Sequence, residues 1–399
     1  MTTLTLPVLL LFCLLSFSVA FAPVAFTRQV TASARFSTPG DDAVVDSEEE
    51  EHKKKVTYFA ALLRDLQVEG VPLLGCDADE VHTLQAALWT TMAELTNQDD
   101  ANSACMILEN IPLAALQMFV DDFLTLKNQL DQMEHLPELN RVTTSLVGKG
   151  IGPAILIEVA AKTEEAPIAP YTPEDEFKCS AAMKVFMERV VVGGDGPASI
   201  GLGDEGSAEP IVYRSGFTTS VCATVAGLWN CVCEMQMSQD AGTICLMLPS
   251  IASSHDQFES VAQLLSRSLC LYQGDSVFSL VHFHPEYDRS TISPVDKPAF
   301  GHLPPVSWLR PMLKSNGDST EIDDEALSKS NYQRRAPMMA VNIVRNSLLG
   351  APKIVTIELD GGATTQASGL EVYCRNTLKL ASTDEAVLKA ALDAEIAIL

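Results

Sequence analysis

The sequence predicts an α/β or α+β fold, in which a layered domain of helices on a small mixed sheet follows a small all-α unit. Two observations lead to this prediction. From residue 177 onward, short apolar runs of strand length alternate with segments whose apolar residues recur every three or four positions. Between residues 53 and 159 the apolar spacing is mainly helical, and a chain of 399 residues is long enough for two globular units.

Residues 1–40 are predicted to form a signal peptide followed by a transit peptide. An apolar core at residues 6–21 has signal-peptide length, and the following segment contains Arg28 and Arg35 but no acid before Asp41. This combination resembles the bipartite presequence of algae whose plastids are wrapped in extra membranes, which implies import into the plastid stroma. The alternative is a plain secretory signal with a disordered spacer. Residues 41–52 are predicted to be a solvated acidic tail.

Composition narrows the set of partners. The formal net charge of −25 disfavours nucleic acid and anionic membrane surfaces, because phosphate contacts need clustered Lys and Arg. The mature chain is expected to be soluble, with no integral membrane segment. The ten cysteines are scattered without a CxxC pair, which indicates free, mostly buried thiols in a reducing compartment.

The region from 53 to 159 is predicted to be a helical N-terminal unit. One helix starts near Lys53, a second after Asp77 and a third after Pro112. Two apolar stretches then flank Gly148 to Gly152. The glycines are typical of a tight turn between strands, while a phosphate-binding loop is the alternative that fits the spacing less well.

Residues 160–176 are predicted to be a linker, and residues 177–399 an α/β domain. In this domain we expect helices at 177–192, 218–237, 256–271, 337–349 and 384–398, strands at 210–213, 243–248, 276–283 and 353–359, and an edge strand at 372–380. Loops are expected at 193–206 and at 294–330, the latter with a helical turn at 306–313. No internal repeat is apparent in the sequence.

The strand predicted at 276–283 leads into the best candidate site. It stops at His284-Pro285 because proline has no N–H for a strand ladder, and ionisable groups follow at Glu286 and Asp288. Polar groups just past the end of a buried strand are where open α/β proteins place their ligands. His284, Glu286 and Asp288 are therefore the candidate catalytic residues, since imidazole and carboxylate exchange protons.

His282 and His284 are two residues apart, so on a strand both side chains point to the same face. Two imidazoles and nearby carboxylates would suit zinc or iron. The other interpretation is one histidine packed in the sheet and one hydrogen-bonded at the strand end. Because no recognised ligand spacing is present, no metal or other cofactor is expected, with zinc or iron as the minor alternative.

A basic cluster at Arg334 and Arg335 precedes the helix predicted at 337–349, which carries Asn342 and Arg345. A helix N-terminus beside arginines favours phosphate or carboxylate. In a chain this acidic, the two arginines equally suit pairing with neighbouring acids.

These motifs occur in an order that resembles the domain-of-unknown-function family 1415. The resemblance spans roughly residues 177–349 and rests on an opening helix like residues 187–193, then Phe-His-Pro-Glu-Tyr at 283–287, Pro-x-Asp at 294–296 and Arg-x-Pro at 335–337. It implies that Tyr287 and Asp296 belong to the ligand-binding set. The family has no reaction that carries over to this chain.

The chain departs from the family's pattern in three places. The family's Cys-Pro loop is replaced by Gly194 to Ala198, which has no thiol, so cysteine chemistry is not expected. Residues 297–330 intervene as an insertion, and Asn342 stands where the family has a histidine. These losses are typical of a degenerate enzyme.

Three functions follow from these observations. The first is a plastid protein that binds a small anionic metabolite in a pocket between His284 and Arg335, as an enzyme or the remnant of one. The second is a non-catalytic assembly or interaction protein with a protein partner. The third is a metal-dependent hydrolase that uses His282 and His284.

The predicted leader, residues 1–40, gives a first test of plastid import. Residues 1–40 fused to a fluorescent reporter are expected to carry it into the plastid of a complex-plastid alga, because the signal and transit parts act in sequence. The position of the reporter is read by microscopy against plastid autofluorescence. A reporter that is secreted instead would contradict the transit-peptide prediction.

Overall fold

A computed structural model of the chain describes residues 28–29, 57, 71, 73–76, 80–108, 113–131, 133–147, 154–162, 172–192, 211–238, 242–252, 254–290, 301–318, 320–348, 355–358, 362, 364–367 and 370–399. Most of the predicted leader, the acidic tail, most of the first predicted helix, the loop at 193–206 and Asp296 lie outside these residues. In the described part, no helix is both long enough and apolar enough to cross a membrane.

The first half of the chain contains a mixed sheet with helices packed on it. Its elements are β1 (Arg28–Gln29), β2 (Leu73–Cys76), α1 (Val81–Thr96), β3 (Asn102–Leu108), α2 (Leu113–Gln129), a 3-10 turn (Met133–His135), α3 (Pro137–Arg141), β4 (Val142–Val147) and β5 (Ala154–Val159). The strand order is β1-β2-β3-β5-β4. β2 and β3 are parallel, and the other neighbours are antiparallel.

The prediction that residues 53–159 form an all-α unit is therefore wrong. The helices expected after Asp77 and Pro112 are confirmed as α1 and α2, and the hairpin of β4 and β5 confirms the strands expected on either side of the glycine turn. The strand β3 was missed. Its central residues Ala104 to Met106 are fully buried, and a short apolar run of this kind shows no period that separates a strand from a buried helix.

The second half contains a second mixed sheet. Its elements are α4 (Pro173–Met187), a π-helical turn (Glu188–Val192), β6 (Ile211–Ser215), α5 (Val221–Met237), β7 (Thr243–Met247), α6 (His255–Leu271), β8 (Phe278–Phe283), α7 (Val306–Ser315), α8 (Asp324–Ser328), β9 (Ala340–Arg345), β10 (Val355–Glu358), β11 (Thr364–Ala367), α9 (Leu370–Ala381) and α10 (Glu385–Ile396). Short 3-10 turns lie at Gly274–Ser276, Lys329–Gln333 and Asn346–Leu348. The strand order is β6-β7-β9-β8, and β10 pairs with β11 in a separate hairpin.

The layered α/β prediction is confirmed, with corrections in three elements. α4 begins at Pro173, inside the predicted linker, because Thr172 and Asp175 form a reciprocal capping box. The helix predicted at 337–349 is the central strand β9, whose apolar run pairs on both sides. The edge strand predicted at 372–380 is the helix α9, in which Cys374, Thr377 and Leu380 recur every three residues on the buried side.

The two sheets share one topology, which corrects the expectation that the chain has no internal repeat. β2-β3-β5-β4 and β6-β7-β9-β8 have the same order and the same strand directions. Residues 71–108 align without a gap on residues 211–248. The identical pairs include Val81/Val221, Ala86/Ala226, Leu88/Leu228, Trp89/Trp229, Glu94/Glu234 and Cys105/Cys245.

The halves pack against each other through their first helices. In the described part, α1 and α5 make the most extensive contact between any two elements. Thr96 contacts Cys222, and the equivalent residues in exchanged halves, Gln236 and His82, are joined by a hydrogen bond of 2.7 Å. Such reciprocal contacts indicate a pseudo-twofold arrangement.

The apolar core is continuous across this arrangement. Trp89 and Trp229 are both fully buried, and each packs on the second-helix region of its own half, Trp89 on Phe123 at 5.6 Å and Trp229 on Tyr272 at 6.0 Å between ring centroids. Phe119 of α2 stacks on Tyr272 at 5.6 Å and so joins the two second helices. One core therefore serves both halves.

A shared core predicts that the halves unfold together. Leu88→Ala in α1 is expected to destabilise the chain by about 2–5 kcal/mol, because it opens a cavity in this core. The probes are Cys105 and Cys245, the buried thiols at equivalent positions of the two sheets. Their alkylation is measured by peptide mass mapping at increasing concentrations of urea. Both thiols are expected to become reactive at one midpoint, and Leu88→Ala lowers it for both.

The matched control is Leu124→Ala on α2, whose side chain is 60% exposed. It is expected to leave both midpoints in place. A variant of Leu88 that shifts Cys105 but not Cys245 would show two independent cores.

Candidate functional site

The three catalytic candidates, together with Arg334 and Arg335, lie at one end of the strands of the second sheet. β6, β7 and β8 end there, β9 begins there, and α5 and α6 start beside it. In the first half, only six residues separate the end of β4 at Val147 from the start of β5 at Ala154, whereas in the second half residues 284–339 lie between β8 and β9. The candidate site thus lies in a connection that is long in the second copy of the repeat and short in the first. It lies at the carboxyl ends of the strands, where α/β sheets bind their ligands.

His284 fixes the turn that leaves β8. Its ring stacks on Phe258 of α6 at 4.7 Å between centroids. Nδ1 accepts a hydrogen bond from the Glu286 N–H at 3.1 Å, and the ring also hydrogen-bonds to the Ala252 backbone. Burial lowers the pKa of His284 to about 4, so the ring is neutral at pH 7 and both its nitrogens serve the turn.

Three further buried polar rings, those of Tyr287, His302 and His282, lie next to this turn and contact one another in series. The Tyr287 hydroxyl accepts the Leu303 N–H at 2.8 Å and lies 3.3 Å from His302 Nδ1. The His302 and His282 rings are 5.1 Å apart, and His282 Nε2 is 2.9 Å from Ser266 Oγ. Burial lowers the pKa of His282 to about 3 and that of His302 well below its usual value.

Gly301 allows this cluster to close over the edge strand. Its φ is +76°, and a Cβ there would lie 2.4 Å from the Leu280 carbonyl oxygen. Its own carbonyl accepts the His282 N–H at 3.3 Å. Only glycine gives both the left-handed backbone and the close approach, so residues 301–303 cover the outer edge of β8.

The two basic residues of the predicted cluster lie beside the same turn. The His284 N–H donates to the Arg334 carbonyl at 3.1 Å, and Arg335 Nε donates to the Tyr287 carbonyl at 3.1 Å. The Arg334 guanidinium lies over the Phe283 ring at 5.3 Å, and that of Arg335 lies over Tyr332 at 4.5 Å. The structure thus brings the segments around His284 and Arg335 together.

The two candidate carboxylates differ in environment. Glu286 is exposed. Asp288 Oδ1 accepts hydrogen bonds from Asn331 Nδ2 at 2.9 Å and from the Ser290 N–H at 2.8 Å. Partial burial acts to raise the pKa of Asp288, but the Ser290 hydrogen bonds and the nearby Arg335 outweigh it, so the pKa is lowered. Asp288 is therefore a carboxylate that holds the loop together.

Three residues that the sequence did not single out complete the cluster. The first turn of α6 supplies His255 and Glu259, and Arg289 follows the predicted motif directly. Glu259 Oε1 is 3.8 Å from His255 Nε2, and Oε2 is 3.8 Å from Arg289 Nη1. The sequence did contain a signal for His255 and Glu259. They lie in the first turn of a helix that follows a buried strand, and such a helix starts at the carboxyl end of that strand.

Two predicted ligand-binding residues lie elsewhere, because no helix starts at Pro337 to supply an anion site. Asn342 is buried in the middle of β9, with Nδ2 at 3.9 Å from Met187 Sδ. Arg345 lies at the far end of β9, roughly 16 Å along the strand from Ala340. It donates to the Met235 carbonyl and, at 2.9 Å, to the Ser238 carbonyl, and so caps the carboxyl end of α5.

The described residues contain no group of three or more His, Cys, Asp and Glu side chains placed to hold a metal ion. His282 Nε2 and the His284 ring are already hydrogen-bonded, so the hydrolase hypothesis gains no support. An open hollow of about 470 Å3, lined by residues such as Asn102, Arg141 and Glu158, lies at the opposite edge of the first sheet. It contains none of the candidate residues.

Comparisons with protein-family models, with curated proteins and with solved structures found no match to this chain. The resemblance to the family 1415 motifs stays a prediction.

The buried histidines predict that stability falls in mild acid. An unfolded histidine titrates near 6.5, whereas His284 in the folded chain titrates near 4. Its contribution is complete above about pH 6.5 and is lost as the pH falls towards 4, with a slope of up to about 1.4 kcal/mol per pH unit. Urea unfolding at pH 7, 6 and 5 measures the loss.

His284→Gln, which keeps one donor and one acceptor, is expected to remove part of this slope. An unfolding free energy that is the same at pH 7 and pH 5 would contradict the buried, neutral state of these rings.

Proposed function

We propose that this chain binds a small anionic metabolite at the corner between residues 284–289 and 331–335. The observation that carries the proposal is the junction of these segments by three hydrogen bonds: His284 N–H to the Arg334 carbonyl, Arg335 Nε to the Tyr287 carbonyl, and Arg289 N–H to Asn331 Oδ1. This junction gathers three arginines around one short loop at the carboxyl edge of the sheet. Such an edge is a frequent place for ligands.

The groups that would hold an anion at this corner are its arginines. His282, His284 and His302 are neutral at pH 7 because burial lowers the pKa of each. Arg335 donates through Nε to the Tyr287 carbonyl, hydrogen-bonds to the Tyr332 side chain and lies near Asp288, so its guanidinium is held at this corner. Guanidinium groups hold carboxylates and phosphates with paired hydrogen bonds.

Binding has more support than catalysis. The ring nitrogens of His284 already hold the turn, and Asp288 accepts two hydrogen bonds from the loop. Of the three candidate catalytic residues, Glu286 keeps an exposed carboxylate. A degenerate enzyme that retains its binding corner, imported into the plastid stroma, accounts for these features.

The alternative is a non-catalytic assembly or interaction protein of the plastid. One observation favours it: α4 leaves Phe177 73% exposed and Val185 43% exposed. Exposed apolar groups of this size suit contact with another protein. The two functions differ in one measurable property: only the first predicts that the chain binds an anion through its arginines.

Arg335→Ala is expected to weaken the binding of malonate or inorganic phosphate by about 10-fold or more, because a charge-assisted hydrogen bond contributes about 1.5–3 kcal/mol. Isothermal titration measures the affinity of the mature chain, and thermal unfolding checks the fold. Little change in melting temperature is expected.

The matched control is Arg310→Ala. Arg310 is half exposed and pairs with Asp324 at 2.8 Å, away from the corner. Equal losses in both variants, or a wild-type chain that binds no anion, would refute the proposed function.

A further inference from the structure

Arg289 is a buried cation with unused hydrogen-bond donors. Its side chain is among the largest that are fully buried, with 1% of the residue exposed. Its backbone is held by Asn331 Oδ1 and by the Val306 N–H, at 3.0 and 3.3 Å. Among the described residues, no group accepts a hydrogen bond from Nε or Nη2. A buried charged donor without an acceptor is costly, and a bound anion would remove that cost.

Two other arginines show what the same pair of donors does in this protein. Arg189 holds Glu395 through Nε at 2.6 Å and Nη2 at 3.1 Å. Arg214 holds Glu234 through Nε at 2.9 Å and again through Nη2. In both pairs the Nε–Nη2 edge grips a carboxylate side-on, with two parallel bonds. Arg289 presents this edge without a carboxylate.

The neighbouring charge does not occupy that edge. Glu259 Oε2 lies 3.8 Å from Nη1, which is the other terminal nitrogen and is too far for a hydrogen bond. His255 Nε2, 3.8 Å from Glu259 Oε1, is a further buried polar atom without a hydrogen-bond partner in the described part. The side chains of His255 and Glu259 are 29% and 16% exposed, whereas that of Arg289 is 2% exposed.

We propose that Arg289 is the anchor of the anion site and that its Nε–H and Nη2–H bind a carboxylate group of the ligand side-on. His255 Nε2 is the next polar group available to that ligand. A planar carboxylate fits better than a tetrahedral phosphate, because both matching pairs in this chain hold carboxylates and Arg289 is almost completely enclosed. The inference rests on the proposed function and names its anchoring residue and ligand class.

Titrations of the full chain with acetate, malonate and inorganic phosphate test this inference. Arg289→Lys keeps the positive charge but loses the paired donors. It is expected to weaken malonate and acetate binding by about 10- to 100-fold, as expected for the loss of charge-assisted hydrogen bonds. Wild-type chain is expected to bind malonate more tightly than phosphate.

Glu259→Gln keeps the test decisive where Arg289→Lys fails to fold. It removes a negative charge beside the site and is expected to tighten carboxylate binding by about threefold or more. Wild-type binding that neither Arg289→Lys nor Glu259→Gln changes, while Arg335→Ala weakens it, would overturn this inference alone. Tighter binding of phosphate would overturn the carboxylate assignment, and no binding of any anion would overturn the proposed function as well.

Discussion

The packing of α1 against α5 is the interaction on which the rest of the structure depends. Each helix covers the sheet of its own half, and one large apolar cluster draws its residues from both halves. Trp89 and Trp229 occupy equivalent positions on these two helices, and both are excluded from solvent. Because large aromatic side chains bury much apolar surface, this pair contributes strongly to a single core. The pseudo-twofold relation follows from a repeat that packs on its own copy.

The internal repeat explains where the candidate site lies. The repeat contains two equivalent strand pairs, and one of them carries a long connection that includes buried histidines and the buried Arg289. Three kinds of contact hold this connection in place. His284 stacks on Phe258, Gly301 lets residues 301–303 approach β8, and Asn331 forms hydrogen bonds to residues 288–289. The polar groups are costly to bury, which is a reason to look for function there. Proteins place such strained or costly groups at sites of binding more often than elsewhere.

The sequence predicted most helices because their apolar residues recur with a helical period, and it predicted β6, β7, β8 and β10 from short apolar runs. It failed at β9, because the apolar residues from Met338 to Val344 are interrupted only at Asn342 and show no clear period, and at α9, which was predicted as an edge strand. The repeat is not apparent in the sequence because the identical pairs, such as Trp89/Trp229, are separated by unlike residues along most of the aligned stretch. For the site, the motif at His284 was visible, whereas the roles of Arg289 and Arg345 depend on contacts with α6 and α5 that only the tertiary structure supplies.

The binding of a carboxylate-bearing ligand at the enlarged hairpin, with Arg289 as its anchor, is tested most directly by a crystal structure of the chain grown with excess malonate. One malonate carboxylate is expected within hydrogen-bond distance of both Nε and Nη2 of Arg289, with Arg335 at the rim of the site. An Arg289 edge paired with a side chain of the protein itself, with malonate bound elsewhere or absent, would refute carboxylate binding by Arg289.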